Sequence, residues 1–318
     1  MWDLHAHVIP PNVMEAAQNN QMGMTVSQGQ LLIDGHPLPF QLLTDLDALK
    51  NYSFRSGLNL ALSVPPGLFR YQLSREQSRE WCQLVNDGMR QIIESSQGRY
   101  RGFLLVPLQH PDLAAQLWHE YKGQDWFGIV TGTSINGMGL EDDLFRSFWE
   151  IFDQSRQVCF VHAVDAPDTR LGPYYLSNLL GYPYEDILCV ARLLFSGLPI
   201  RFPETRWFVS HGGGGAAALL GRWQWGYDTH RPGIQRTVPP PRQVFQKLWF
   251  DCLTHDEGAL SLLLQHAAPN HVVAGSDYPF PMGMSRTFEE ASDVGPRLTK
   301  IMASGDQLLR IDEKRHVL

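Results

Sequence analysis

The chain is 318 residues long, 43% of them hydrophobic, with a formal net charge of −7. That is enough apolar sequence for one large packed core, and the acidic balance argues against nucleic acid or an anionic membrane surface as a partner. No apolar run reaches the length of a membrane span, and the first strand begins at Trp2, so no secretory leader is expected.

The first apolar run, Trp2–His7, carries an informative pattern. Strand side chains alternate between faces, so His5 and His7 point the same way. Two imidazoles on one buried face each need a partner, and a shared metal ion supplies it. Residues 8–57 hold no clear long helix. Gln28–Phe40 reads as a hairpin turning at Asp34-Gly35, and the whole stretch is expected to pack as a small insertion over one end of the fold. Further strand-like runs follow at Leu58–Val64, Gly102–Leu108, Phe127–Thr131, Val158–His162, Arg206–Ser210, Lys247–Cys252 and His271–Ser276. Helical stretches lie between or after them at Arg79–Ser96, Asp112–Tyr121, Glu141–Ser155, Glu185–Leu198, Ala216–Gly226, Glu257–His266 and Arg286–Ser304. Tyr227–Arg242, with Pro232, Gly233 and the triplet Pro239-Pro240-Pro241, reads as a stiff loop. Strands nearly continuous in apolar residues, covered by helices, predict a (β/α)8 TIM barrel: one domain over residues 1–318 with the 8–57 insertion over its mouth. Cys82, Cys159, Cys189 and Cys252 show no CxxC spacing and lie in apolar segments, which predicts free thiols in a reducing, cytoplasmic compartment.

The polar residues sit at strand ends. His5 and His7 end the first run, His162 ends the fifth, His211 follows the sixth and Asp277 follows the eighth. Residues at the carboxyl ends of barrel strands form the active site in this class of fold. One buried histidine is usually a satisfied core residue, but a whole set at one rim predicts a site.

This ordered set, with the segments FVHAVDAPD, FPETRWFVSHGGGGAAALLGRW, FDCLTHDEGALSLL and GSDYPFPMG, resembles the amidohydrolase superfamily, and within it the aminocarboxymuconate-semialdehyde decarboxylase branch. The likeness covers most of the chain and is strongest between residues 155 and 285. It implies that His5, His7, His162 and Asp277 are metal ligands and that His211 is the catalytic base. Three neutral imidazoles and one carboxylate suit Zn2+ and can also accept Mn2+ or Fe2+. A water on such an ion has its pKa lowered toward ~7, within reach of a base such as His211. Binuclear members of the superfamily place a carboxylated lysine at the end of the fourth strand. Residues 127–133 hold no lysine, so a mononuclear site is expected.

Asp3, one layer deeper on the strand of His5 and His7, is expected to orient a ligand or the chain rather than bind metal. The His255-Asp256 pair reads equally as a support for the ligands or as a helix start capped by Asp256. The resemblance also implies a homodimer in which Arg231 of one subunit reaches the other's substrate, with Arg222 on the same segment. Trp223 and Trp225 are expected to pack or to lie in the dimer interface. In the resembled branch an arginine of the first-strand insertion grips the substrate carboxylate. Residues 34–40 carry none, and His36 is the only cationic candidate there.

These readings predict a metal-dependent, non-oxidative decarboxylase of a small unsaturated or aromatic carboxylic acid. The alternative is hydrolysis of a lactone, amide or imine by a metal-activated water. A metal-dependent oxygenase component, working with a partner protein, is a further one. The intact ligand set argues against a non-catalytic scaffold. The missing arginine predicts poor turnover of aminocarboxymuconate semialdehyde itself and a less polar substrate near Pro37–Phe40.

Overall fold

The computed structural model describes every residue except 39–40, 124, 286–287, 289–295 and 310–318. Strand β1 (Trp2–His7) leads into helix α1 (Pro11–Gln18) and an antiparallel meander of β2 (Met24–Ser27), β3 (Gln30–Ile33) and β4 (His36–Pro37). The meander turns at Gln28-Gly29 and at Asp34-Gly35, where both residues of each pair have positive φ, as two-residue hairpin turns require. Helix α2 (Leu46–Ser56) then returns the chain to β5 (Asn59–Ser63). The alternation continues through α3 (Arg75–Ser95), β6 (Tyr100–Leu105), α4 (Pro111–Tyr121) and β7 (Trp126–Gly132). After a small hairpin, β8 (Ser134–Ile135) and β9 (Met138–Gly139), come α5 (Arg146–Asp153), β10 (Val158–His162), α6 (Tyr182–Ser196), α7 (Leu198–Arg201) and β11 (Arg206–Val209). The chain finishes with α8 (Ala216–Asp228), α9 (Pro241–Phe245), β12 (Trp249–Asp251), α10 (Glu257–His266), β13 (Val272–Val273) and α11 (Pro296–Leu308).

Eight of these strands, β1, β5, β6, β7, β10, β11, β12 and β13, lie side by side in that order, and their ladders are parallel. Three backbone hydrogen bonds close the ring between β1 and the chain after β13: Leu4 N to Ala274 O at 2.9 Å, Asp277 N to His5 O at 2.7 Å and His7 N to Tyr278 O at 2.7 Å. The result is a (β/α)8 barrel. Its interior is filled with aromatic rings. Phe160 stacks on Phe208 at 4.8 Å and meets Phe103 at 5.3 Å between centroids. Phe160 stands two residues before His162 on β10, so it occupies the same strand face one layer down, and its ring is 5.0 Å from that of His5.

Two expectations change at their edges. Residues 8–57 contain an eleven-residue helix, α2, which the sequence pattern did not expose. Asp45 caps it, accepting from Ala48 N at 2.9 Å, but its buried stripe is only Leu49, Tyr52 and Ser53, too narrow and polar for a clear period. The stiff loop after α8 ends earlier than expected, because Pro241 opens α9, a position where proline's missing N–H costs nothing. The expected helix over Arg286–Ser304 begins partly outside the described residues, as does the Phe40 end of the expected hairpin. Among the described residues no helix is long and apolar enough to cross a membrane.

The seam of the barrel depends on Asp3. It is fully buried and accepts from His5 N (3.2 Å), Ser276 N (3.0 Å), Ser276 Oγ (2.5 Å) and Tyr52 OH (2.7 Å). One carboxylate thus joins β1, α2 and the chain after β13. Asp3→Ala takes that acceptor from four buried donors and should lower the unfolding free energy by about 3–5 kcal/mol, at ~1–3 kcal/mol for each group left unsatisfied. Urea denaturation followed by tryptophan fluorescence reads the change. A loss under ~1 kcal/mol would mean the seam holds without this residue.

Candidate active site

The strand ends bring His5, His7, His162 and Asp277 to one point at the carboxyl rim, with one ligand-type atom from each within 4.8 Å of the others. His5 Nε2 and His7 Nε2 are 3.0 Å apart, and Asp277 Oδ1 lies 3.2 and 3.1 Å from them. All four residues are buried. Each imidazole is held through its other nitrogen. His5 Nδ1 lies 2.7 Å from Asp251 Oδ2, His7 Nδ1 lies 3.0 Å from Ser63 Oγ, and His162 Nδ1 lies 2.8 Å from the Ala163 carbonyl. A ring that donates through Nδ1 keeps a lone pair on Nε2. His162 Nε2 is buried with no hydrogen-bond partner, a costly arrangement unless something binds there. Three such nitrogens and a carboxylate fit one divalent cation.

The charges agree with that donor set. Burial and the surrounding imidazoles hold His162 well below the ordinary histidine value, and burial also lowers His7. Burial opposes ionisation of Asp277, but the His5 and His7 rings outweigh it and keep the carboxyl well below the usual range. Burial likewise disfavours a charged His5, yet Asp277 and Asp251 on either side push it up to about 10. In the metal-free protein these two carboxylates favour a protonated His5, and a cation binding at Nε2 would displace that proton.

His211 stands beside this cluster. Its Nδ1 is 2.8 Å from Asp186 Oδ2, and the other Asp186 oxygen accepts from Ser210 Oγ at 3.0 Å. Its ring centroid is 5.0 Å from that of His162 and 5.3 Å from that of His5. Burial lowers its pKa, but the Asp186 carboxylate more than offsets this and leaves it above the ordinary value. With Nδ1 committed, Nε2 is the nitrogen free to exchange a proton. Local backbone geometry is unusual here: His211 and Gly212–Gly214 all have positive φ, and a Cβ on Gly214 would lie 2.3 Å from the Pro183 carbonyl oxygen.

Two acids that support the site, Asp251 and Asp186, were not singled out from the sequence. Asp251 also accepts from His211 N (2.9 Å), Gly212 N (2.8 Å) and Leu253 N (3.1 Å). The available signal was a lone charge inside the apolar run Lys247–Cys252. Gly275 allows this packing, since a Cβ there would lie 2.6 Å from Asp251 Cβ and 2.8 Å from His5 Cβ. For Asp186 the signal was an acid on the core-facing side of α6.

The remaining predicted residues lie further out. Asp3 touches the backbone of His5, not its ring. His255 is exposed at the edge of the cleft, and the acid that supports His5 is Asp251, four residues earlier. Asp256 caps α10, accepting from Ala259 N at 2.8 Å. Arg231 is exposed, donates to the Thr229 carbonyl at 3.0 Å and does not line the cleft. On the same segment Arg222 is exposed, Trp223 packs partly against the core and Trp225 is 71% exposed. His36 is exposed at the start of β4, paired in register with Ile33, and lines the outer part of the cleft. The cleft above the cluster has a volume of about 1120 Å3, and its walls include Leu38 from the insertion, Phe69, Tyr182 and Phe280.

Asp277→Ala or His162→Ala should remove most bound metal, read by elemental analysis of the purified protein. Full occupancy in Asp277→Ala would sink the ligand assignment. Metal uptake near pH 7 should release about one proton, from His5, and metal affinity should rise with pH through neutrality. Titration calorimetry in buffers of different ionisation enthalpy reads both, and uptake without proton release would contradict the charge assigned to His5.

Residues 2–300 match the family described as amidohydrolase. A 2-amino-3-carboxymuconate-6-semialdehyde decarboxylase of Caenorhabditis elegans is 33% identical, over 91% of this chain and 88% of its own. Among solved structures, a 5-carboxyvanillate decarboxylase of Sphingomonas paucimobilis gives a TM-score of 0.81 at 18% identity, covering 98% of each chain. The enzyme of that name from Novosphingobium aromaticivorans, solved with manganese, gives 0.76 at 16% identity over 97% of this chain and 95% of its own. These two likenesses show a shared fold. With the family match spanning nearly the whole barrel, the chain belongs to the amidohydrolase family.

Proposed function

We propose that the protein catalyses the metal-dependent, non-oxidative decarboxylation of a small unsaturated or aromatic carboxylic acid. The observation that carries this reading is the His211–Asp186 pair, 2.8 Å apart, set beside a separate cluster of three imidazoles and one carboxylate. A proton carrier stands next to a place that can hold an anion. Relatives named as decarboxylases support the same reading.

His5, His7, His162 and Asp277 would hold one divalent cation, which when bound supplies positive charge to grip a substrate oxygen. Imidazole donors suit Zn2+ best, and the same set accepts Mn2+ or Fe2+. A mononuclear site is supported at the end of β7, where the Thr131 hydroxyl is 3.1 Å from Tyr71 OH and no further ligand cluster occurs among the described residues. Asp186 fixes the His211 tautomer, so protonated His211 delivers its Nε2 proton to the carbon bearing the carboxylate. The bond to the carboxylate then breaks, its electron pair returns to the π system, and CO2 leaves without a free carbanion. Solvent reprotonates His211. Apolar walls such as Phe69 and Phe280 keep bulk water from the reacting carbon and strengthen the local charges.

The working form in this proposal is a homodimer of single-barrel chains. Arg231 lies outside its own cleft, so a role for it at a substrate would be in a neighbouring subunit's cleft, and exposed Trp225 on the same segment offers apolar surface for such a contact. The four free, buried cysteines suit a reducing cytoplasm.

Release of CO2 from a panel of aromatic carboxylates tests the reaction; acid production from lactones with no CO2 would favour hydrolysis instead. His211→Ala should keep its metal and lose activity by roughly 10²–10⁴-fold, the range for a general acid–base group. Asp186→Asn should also keep its metal and slow turnover, and near-normal rates in both variants would discard the pair. Arg231→Lys should raise KM with metal content unchanged, because lysine does not reproduce the bidentate guanidinium–carboxylate contact. A monomer by light scattering that is fully active at nanomolar concentration would remove the role in trans.

A further inference from the structure

We propose that Asp34 sets the charge of the substrate cleft by cancelling Arg70, and that this pairing restricts the site to acids with a single carboxylate. The inference rests on the decarboxylase reading and adds a substrate class to it.

Arg70, in the segment after β5, is the only lysine or arginine lining the cleft among the described residues. Its Nε and Nη2 are committed to Asp34. Its side chain is 3% exposed, Nη2 lies 2.8 and 3.1 Å from the two Asp34 oxygens, and Nε lies 3.3 Å from Oδ2. The guanidinium carbon sits 4.9 Å from the centroid of the Trp81 ring, and Nη1 is enclosed without a partner. No guanidinium nitrogen is open to a ligand. Asp34 also accepts from Gln72 Nε2 at 2.8 Å. It comes from the insertion's hairpin turn, where its positive φ is one that aspartate tolerates.

Beyond the metal cluster, the remaining carboxylate in the lining is Asp165, whose Oδ1 accepts from Tyr182 OH at 3.1 Å. A divalent cation and the Asp277 carboxylate together leave one net positive charge at the floor of the cleft. That charge serves one substrate carboxylate. A second carboxylate would find Arg70 already neutralised and Asp165 of like sign. Asp165 suits a hydroxyl or amino substituent, which can donate to it.

Binding rather than turnover tests this, using benzoate and isophthalate titrated into metal-loaded protein by calorimetry. Wild-type protein should bind benzoate at least about tenfold more tightly than isophthalate, a factor worth ~1.4 kcal/mol. Asp34→Asn removes the charge and keeps the shape, and it should narrow that ratio about tenfold by strengthening isophthalate. Adding Arg70→Met to Asp34→Asn should restore the discrimination. Asp165→Asn, on an exposed residue, gives a second route that does not disturb the hairpin and should also strengthen isophthalate. Equal binding of the two acids by wild type, no binding of either, or an unchanged ratio in both single variants would overturn the proposal. Loss of the decarboxylase reading would show instead as absent CO2 release with the binding ratio intact.

Discussion

Asp251 is the acid on which both halves of the site depend. It lies on β12, deep in the barrel, and its two oxygens accept from His5 Nδ1, His211 N, Gly212 N and Leu253 N. The first contact chooses the His5 tautomer and so decides where that ring keeps its lone pair. The next two hold the backbone of His211 and Gly212 in the left-handed region, a conformation that needs such over-determination. The four-residue cluster and the His211 backbone are thus tied to one another through one carboxylate. A buried polar network of this kind is stabilising only when every member is satisfied.

The barrel gives that network its rigidity. Parallel strands deliver His7, His162 and Asp277 from three directions to one rim, and Asp3 fastens the chain after β13 to β1 directly beneath them. Asp277 sits at positive φ, its N–H bonded to the His5 carbonyl, so the ligand and the seam share the same hydrogen bonds. Aromatic packing from below leaves the histidine rings little freedom to reorient. His5 has Phe160, the His7 and His162 rings, and the Asp251 and Asp277 carboxylates around it.

The sequence was most legible where a residue type combined with a position. His5, His7, His162, His211 and Asp277 could be read because each is a ligand-type side chain at the end of an apolar run, and strand ends in a barrel share one rim. Asp251 and Asp186 are equally important to the geometry, but one ends the short strand β12 and the other lies in an early turn of α6, and a lone acid beside apolar residues gives no hint of what it faces. Arg70 was passed over for a related reason. The sequence directed attention to the insertion as the source of a cation, whereas the fold supplies an acid from the insertion and a cation from the loop after β5. Helix α2 was missed because its buried stripe includes Ser53 and Tyr52 rather than a run of aliphatics.

The aromatic layer of Phe103, Phe160 and Phe208 fills the barrel beneath the site, and the cleft lies above it. For the proposed reaction, substrate and products share that cleft. Carbon dioxide, small and apolar, can slip outward past the hydrophobic walls, while the bulkier product must vacate the space that the next substrate needs. Product and substrate would then compete for the same place beside the His211–Asp186 pair. Under that reaction, competitive inhibition by the decarboxylated product is the expected consequence, and product departure would limit turnover as product accumulates.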